Sequence, residues 1–144
     1  MTVNRKALRA LLLPGQERLH FNNETDARRK KILRTISDFH LLVDIYHAPR
    51  ETFTSRKRCL EAIVRDTAGD AERLVIERDD STYDRERGTL HSACQRFGCF
   101  DLHWDLLAPK LDPLLWVPDA VAAAWTRGGH WRRLVQAYSQ PKDL

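Results

Sequence analysis

Three short apolar runs alternate with longer amphipathic stretches, and this alternation constrains the fold of the 144-residue chain more than any other feature. The first run, residues 39–47, mixes β-branched and aromatic residues and is mostly apolar on both faces, as a buried strand requires. The second is Leu74-Val75-Ile76, with charged residues at both ends. In the third, Phe100, Leu102, Trp104 and Leu106 alternate with Asp101, His103 and Asp105, the pattern of a half-exposed strand.

Helical patterns fill the spaces between these runs. Residues 5–13 read as a short helix stopped at Pro14-Gly15, followed by Leu19-His20-Phe21 as a brief extended piece. Thr25 can cap a helix reaching Ser37, with Ile32, Leu33 and Ile36 inward and Arg28, Arg29, Lys30 and Lys31 toward water. Thr54 can cap a third, with Cys59, Leu60, Ile63, Val64 and Thr67 in one stripe and Gly69 at its end. Ser81 and Asp84 match a capping box, although Gly88 predicts that the regular helix waits until Thr89. The last long helix has Pro118 in its first turn and stops at Gly128-Gly129, and Trp131, Leu134, Val135 and Tyr138 suggest one more short helix. Strands alternating with helices predict an α/β layer, one domain over residues 1–144, with a small, largely parallel sheet flanked by helices. Three strands make a thin sheet, which invites a further strand from elsewhere.

Hydrophobic residues at 42% and charged residues at 31% provide for a packed core and exclude a disordered chain. The net charge of +4 is small, but nine bases stand against three acids up to Ile36, so the positive charge is concentrated in the first quarter. Eighteen of the 24 bases are arginine, which forks onto phosphate well. Three cysteines without a Cys-x-x-Cys pair fit a reducing compartment. No run approaches membrane-spanning length, and the opening segment, interrupted by Arg9, is a poor signal peptide. These features predict a cytoplasmic protein of bacterial type with no membrane partner.

In α/β sheets, ligands gather beyond the carboxyl ends of the strands. Glu77, Asp79 and Asp80 follow Leu74-Val75-Ile76 at such an end, and hard divalent cations seek oxygen ligands of this kind. The same residues also suit a solvated acidic turn neutralised by Arg78 and Arg85. Asp119 lies in the first turn of the last long helix, where the helix dipole favours a carboxylate. With Ala122 and Ala123 one turn on, another element can approach it, and it can share a cleft with Glu77. His91, Cys94, Cys99 and His103 invite a zinc site, but four residues along one strand would separate Cys99 from His103 by about 13 Å. There is neither a phosphate-cradling glycine loop nor a Gly-x-Ser-x-Gly elbow.

Three motifs together resemble a large family of uncharacterised bacterial proteins with a ribonuclease-H-like fold: Leu19-His20-Phe21 before a basic helix, Leu74-Val75-Ile76-Glu77-Arg78 at a strand end, and Leu114-Leu115-Trp116-Val117-Pro118-Asp119-Ala120-Val121-Ala122. The likeness runs roughly from Arg5 to Arg133. It implies acids at three places: an Asp in an opening strand of the Asp-Glu-Ser type, an acid closing a later central strand, and an Asp opening the carboxy-terminal helix. Glu77 matches the second, with Asp79 or Asp80 as substitutes, and Asp119 matches the third. The first has no counterpart, so the opening meander is expected to be missing. What is implied is Mg²⁺ or Mn²⁺ held by Glu77, Asp79, Asp80 and Asp119 against a phosphodiester, with Glu77 and Asp119 catalytic and Arg28, Arg29, Lys30 and Lys31 on the nucleic-acid backbone. The expected function is a metal-dependent nucleic-acid-processing domain, inactive if the missing Asp is indispensable. The alternative is a noncatalytic module of the same fold, whose exposed sheet edge pairs with a second copy or a partner protein.

Overall fold

The computed structural model describes residues 2–49 and 52–144. Helices α1 (Thr2–Arg9) and α2 (Asp26–Ser37) flank a 3₁₀ turn at Phe21–Asn23 and precede strand β1 (Val43–His47). Then come α3 (Phe53–Thr67), β2 (Arg73–Glu77), α4 (Tyr83–Phe97) and β3 (His103–Leu107). Two 3₁₀ turns, Pro109–Leu111 and Pro113–Leu115, lead into α5 (Trp116–Arg127), α6 (Gly129–Gln136) and β4 (Ser139–Asp143). The protein is thus α/β, with small parallel sheets flanked by helices.

Several boundaries fall where the side chains require. Thr25 caps α2 by accepting from the Arg28 N–H at 3.3 Å. Gly98 closes α4 in the left-handed conformation, φ 68°, which glycine adopts without a Cβ clash. Other boundaries depart from the sequence expectation. α3 is capped by Thr52, whose Oγ1 accepts from the Ser55 N–H at 3.2 Å, and not by Thr54. α4 starts at Tyr83 and runs through Gly88, because Glu86, Leu90, Ala93 and Cys94 are buried along it and packing outweighs the propensity cost of one glycine, about 1 kcal/mol. Leu19-His20-Phe21 leads into a 3₁₀ turn, whose Asn23 N–H donates to the His20 carbonyl at 2.9 Å. The run 39–47 becomes a strand only at Val43. Its first residues still finish the helix exit, with Phe39 N–H donating to Ile36 O at 3.0 Å and His40 at φ 54°.

The strands form two two-stranded sheets, where the sequence predicted one three-stranded layer. β2 and β3 are parallel, with Arg73 opposite His103 and Glu77 opposite Leu107. β1 pairs with β4, with Val43 N–H donating to Tyr138 O and Leu144 N–H donating to His47 O, both at 2.9 Å. β4 went unseen because Ser-Gln-Pro-Lys-Asp has no apolar alternation, and Pro141 cannot donate to a ladder. Its strand conformation comes from its pairing with β1.

The chain divides into two compact units, Met1–Ile45 with Pro109–Gln140, and Tyr46–Ala108 with Pro141–Leu144. The first has a core that includes Leu8, Phe21, Leu33, Trp116, Val121 and Trp131, with the Phe21 and Trp131 rings edge to face at 5.9 Å. The second is built on Val64, Leu90, Ala93, Cys94, Leu102 and Leu106, beneath the parallel pair. Full burial of each large apolar side chain contributes about 1.5–3 kcal/mol. No helix among the described residues is long and apolar enough to cross a membrane.

Candidate functional site

The carboxyl edge of the β2–β3 pair gathers Glu77, Arg78, Asp79 and Asp80. Glu77 is the last residue of β2 and is half-buried. Beyond it, Asp79 Oδ1 accepts from the Ser81 N–H at 2.9 Å and from its hydroxyl at 2.7 Å. Those two bonds hold the Asp79 carboxyl below the usual range. Asp80 accepts from Arg78 Nε at 2.7 Å, and the same guanidinium lies 4.0 Å over the Tyr83 ring.

Arg56 of α3 faces this edge, held from behind by Glu86 of α4. Glu86 has no exposed surface, accepts from two nitrogens of Arg56, and takes the Thr82 hydroxyl at 3.2 Å. Hydrogen bonding to Glu86 is the first reason the guanidinium holds its proton more tightly than usual, and the charges of Asp79 and Glu77 add to it. A carboxylate buried this deeply is tolerated only when paired. Neither Arg56 nor Glu86 was singled out from the sequence. Glu86 had one signal, standing a turn ahead of Leu90 on the buried stripe of α4.

As a cation site the edge is sparse. Among the described residues no three His, Cys, Asp or Glu side chains converge on one point. Asp80 is engaged by Arg78, and one oxygen of Asp79 by Ser81. One or two carboxylates are what Mg²⁺ takes when phosphate and water complete its shell.

Asp119 belongs to the first unit, and Glu77 to the second. Its Oδ2 accepts from the Phe21 N–H at 3.2 Å and lies 3.8 Å from Arg18, so the carboxylate ties the 3₁₀ turn to the start of α5. The basic cluster also divides. Arg28 donates to Leu11 O at 2.8 Å and to Gln16 and Glu24 at 3.3 Å. Arg29 donates to Phe21 O at 2.9 Å, Asn22 O at 2.7 Å and Asp26 at 2.8 Å. Lys30 and Lys31 are exposed.

All three cysteines are free. Cys94 and Cys99 are buried, the Cys99 thiol is 3.6 Å from the Cys94 carbonyl, and burial pushes the Cys94 thiol up to about 11, which makes it inert as a nucleophile. No family model matches the chain, and neither a curated protein nor a solved structure does.

Proposed function

We propose that this chain is a nucleic-acid-processing domain of the ribonuclease-H-like type, in which Glu77 and Asp79 hold one Mg²⁺ or Mn²⁺ ion and Arg56 meets the phosphodiester. The observation that carries this reading is the carboxylate edge closing a parallel strand pair with an anchored arginine facing it. Glu86 takes Arg56 Nε and Nη2, which orients the guanidinium and leaves Nη1 for a phosphate oxygen. The Ser81 bonds fix one oxygen of Asp79 and favour its ionised form. When bound, the metal supplies Lewis-acid polarisation of the phosphoryl group. The family resemblance also implies Asp80, here paired with Arg78, and Asp119, which belongs to the other unit. Lys30 and Lys31 are the members of the basic cluster free to meet a backbone. Three free thiols fit a reducing compartment, which supports our assignment to the cytoplasm.

Calorimetric titration with Mn²⁺ tests the metal assignment. Binding should disappear in Glu77→Gln and weaken in Asp79→Asn, which keeps an acceptor for the Ser81 N–H. No heat with the native protein, or heat unchanged in Glu77→Gln, removes the metal from this reading.

One observation favours a second reading, a noncatalytic interaction module. β2 and β3 pair only with each other among the described strands, and Phe100, 79% exposed, stands just ahead of β3. Open edges of this kind accept a strand from another chain. Light scattering that gives a monomer at every concentration counts against self-pairing through such an edge.

A further inference from the structure

The outer face of α3 and α4 carries a groove that the catalytic reading does not use. On α3, Phe53, Lys57 and Glu61 recur every four residues, and on α4 Arg85, Gly88, Ser92 and Arg96 recur every three or four. Each set therefore forms one stripe along its helix. The two stripes line a groove of about 400 Å³. Arg85 lies 5.1 Å from the centre of the Phe53 ring, and Arg96 bridges Glu61 at 3.6 Å, so the helices lie side by side in the same direction. At Glu61 and Arg96 the groove meets a second one of about 550 Å³, where Arg58 and Arg65 join the border.

Charge, backbone access and aromatic faces all point to a chain-like polyanion. Five bases border the two grooves against the carboxylates of Glu61 and Asp143, and Lys57 and Arg85 stand exposed at one end. Gly88 sits in the middle of a helix, where glycine is disfavoured, yet a Cβ built there meets nothing within 4 Å. No neighbour among the described residues demands a glycine at this position. Its effect is to leave the α4 backbone bare along the groove, where a ligand can come close. Phe53 and Phe97 stand near the two ends, each with an arginine over its ring, at 5.1 and 5.2 Å. From Arg85 to Arg96 the α4 stripe is about 16 Å long, more than a single phosphate needs.

We infer that the α3–α4 groove binds the backbone of a single-stranded nucleic acid, with Lys57, Arg85 and Arg96 on phosphates and Gly88 opening the path between them. The guanidinium faces of Arg85 and Arg96, stacked over Phe53 and Phe97, accept unpaired bases, which a duplex does not offer. The ligand class rests on the nucleic-acid reading under the proposed function, while binding here needs neither metal nor cleavage.

Fluorescence anisotropy with labelled oligothymidylate and oligouridylate of about 12 nucleotides, in EDTA, tests it. The native protein should bind at least one of them. Lys57→Ala/Arg85→Ala should weaken binding at least tenfold and flatten its dependence on salt. Gly88→Ala should melt higher than the native protein and yet bind more weakly, a combination that a purely structural role for the glycine does not produce. Lys6→Ala/Lys110→Ala, which removes two exposed bases given no binding role, serves as the control and should bind as the native protein does. The inference is overturned if the native protein fails to bind in EDTA, if the double groove variant or Gly88→Ala binds undiminished, or if a duplex of the same length binds as tightly. Failure of the metal reading shows separately, as loss of the Mn²⁺ heat with oligonucleotide affinity intact.

Discussion

Arg28 and Arg29 on α2 carry the same charge as Lys57 and Arg85 on the α3–α4 face, in opposite circumstances. The α2 pair is half-buried, and its nitrogens go to the carbonyls of Leu11, Phe21 and Asn22 and to the side chains of Gln16, Glu24 and Asp26. Glu24 is itself only 8% exposed, so Arg28 neutralises a carboxylate that water hardly reaches. On the α3–α4 face, Lys57 and Arg85 stand exposed along a groove. A base that satisfies buried oxygens of its own chain stabilises the fold, whereas a base left in water remains available to a ligand. The number of bases in a segment does not distinguish these two uses.

The contrast is put to its hardest test by two adjacent residues. Arg56→Ala removes the partner of Glu86, a carboxylate with no exposed surface, and should cost about 3 kcal/mol in urea unfolding, while Lys57→Ala should stay within about 0.5 kcal/mol. Equal losses in the two variants would break the distinction. Arg28→Ala should cost about 2 kcal/mol by the same measurement, because it leaves the buried Glu24 without its charge partner and the Leu11 carbonyl without this donor, and should leave oligonucleotide affinity unchanged. Gly88→Ala should gain about 1 kcal/mol, the intrinsic difference between the two residues inside a helix.

The smallest effect concerns Arg65, which falls between the two cases. It borders the second groove yet donates to Asp66 at 2.9 Å. The bonds from Arg65 and then from the Tyr46 hydroxyl pull the Asp66 carboxyl down from 3.8 to about 2. Because the folded value lies below the unfolded one, this stabilisation is present above 3.8 and is lost as the pH falls to about 2. Solvent screening keeps it small. Thermal melts across that range should show a slightly shallower acid-side decline in Asp66→Asn. The same variant releases Arg65 and should tighten oligonucleotide binding modestly.

The α/β class, the order of the helices, the Thr25 cap and the left-handed stop at Gly98 were legible in the sequence. Each is a local matter: apolar spacing, one side chain reaching a neighbouring N–H, one residue free to take a positive φ. The acidic edge at Glu77, Asp79 and Asp80 was legible for the same reason, being contiguous in the chain. Its arginine was not. Arg56 and Glu86 are thirty residues apart and meet because α3 and α4 pack side by side. Strand β4 was equally hidden, since a polar segment containing proline becomes a strand only when β1 offers its carbonyls and amides.

Apolar periodicity, capping residues and total charge act over one or two turns of chain, so composition and spacing settle them before any tertiary contact forms. Which bases are neutralised and which face solvent depends on contacts between distant residues. Lys57, Arg85 and Arg96, scattered over forty residues, line one groove, whereas the contiguous Arg28 and Arg29 fold back onto their own loop. A charge spends its interaction energy on the nearest available partner, and only the packed chain determines which partner is nearest.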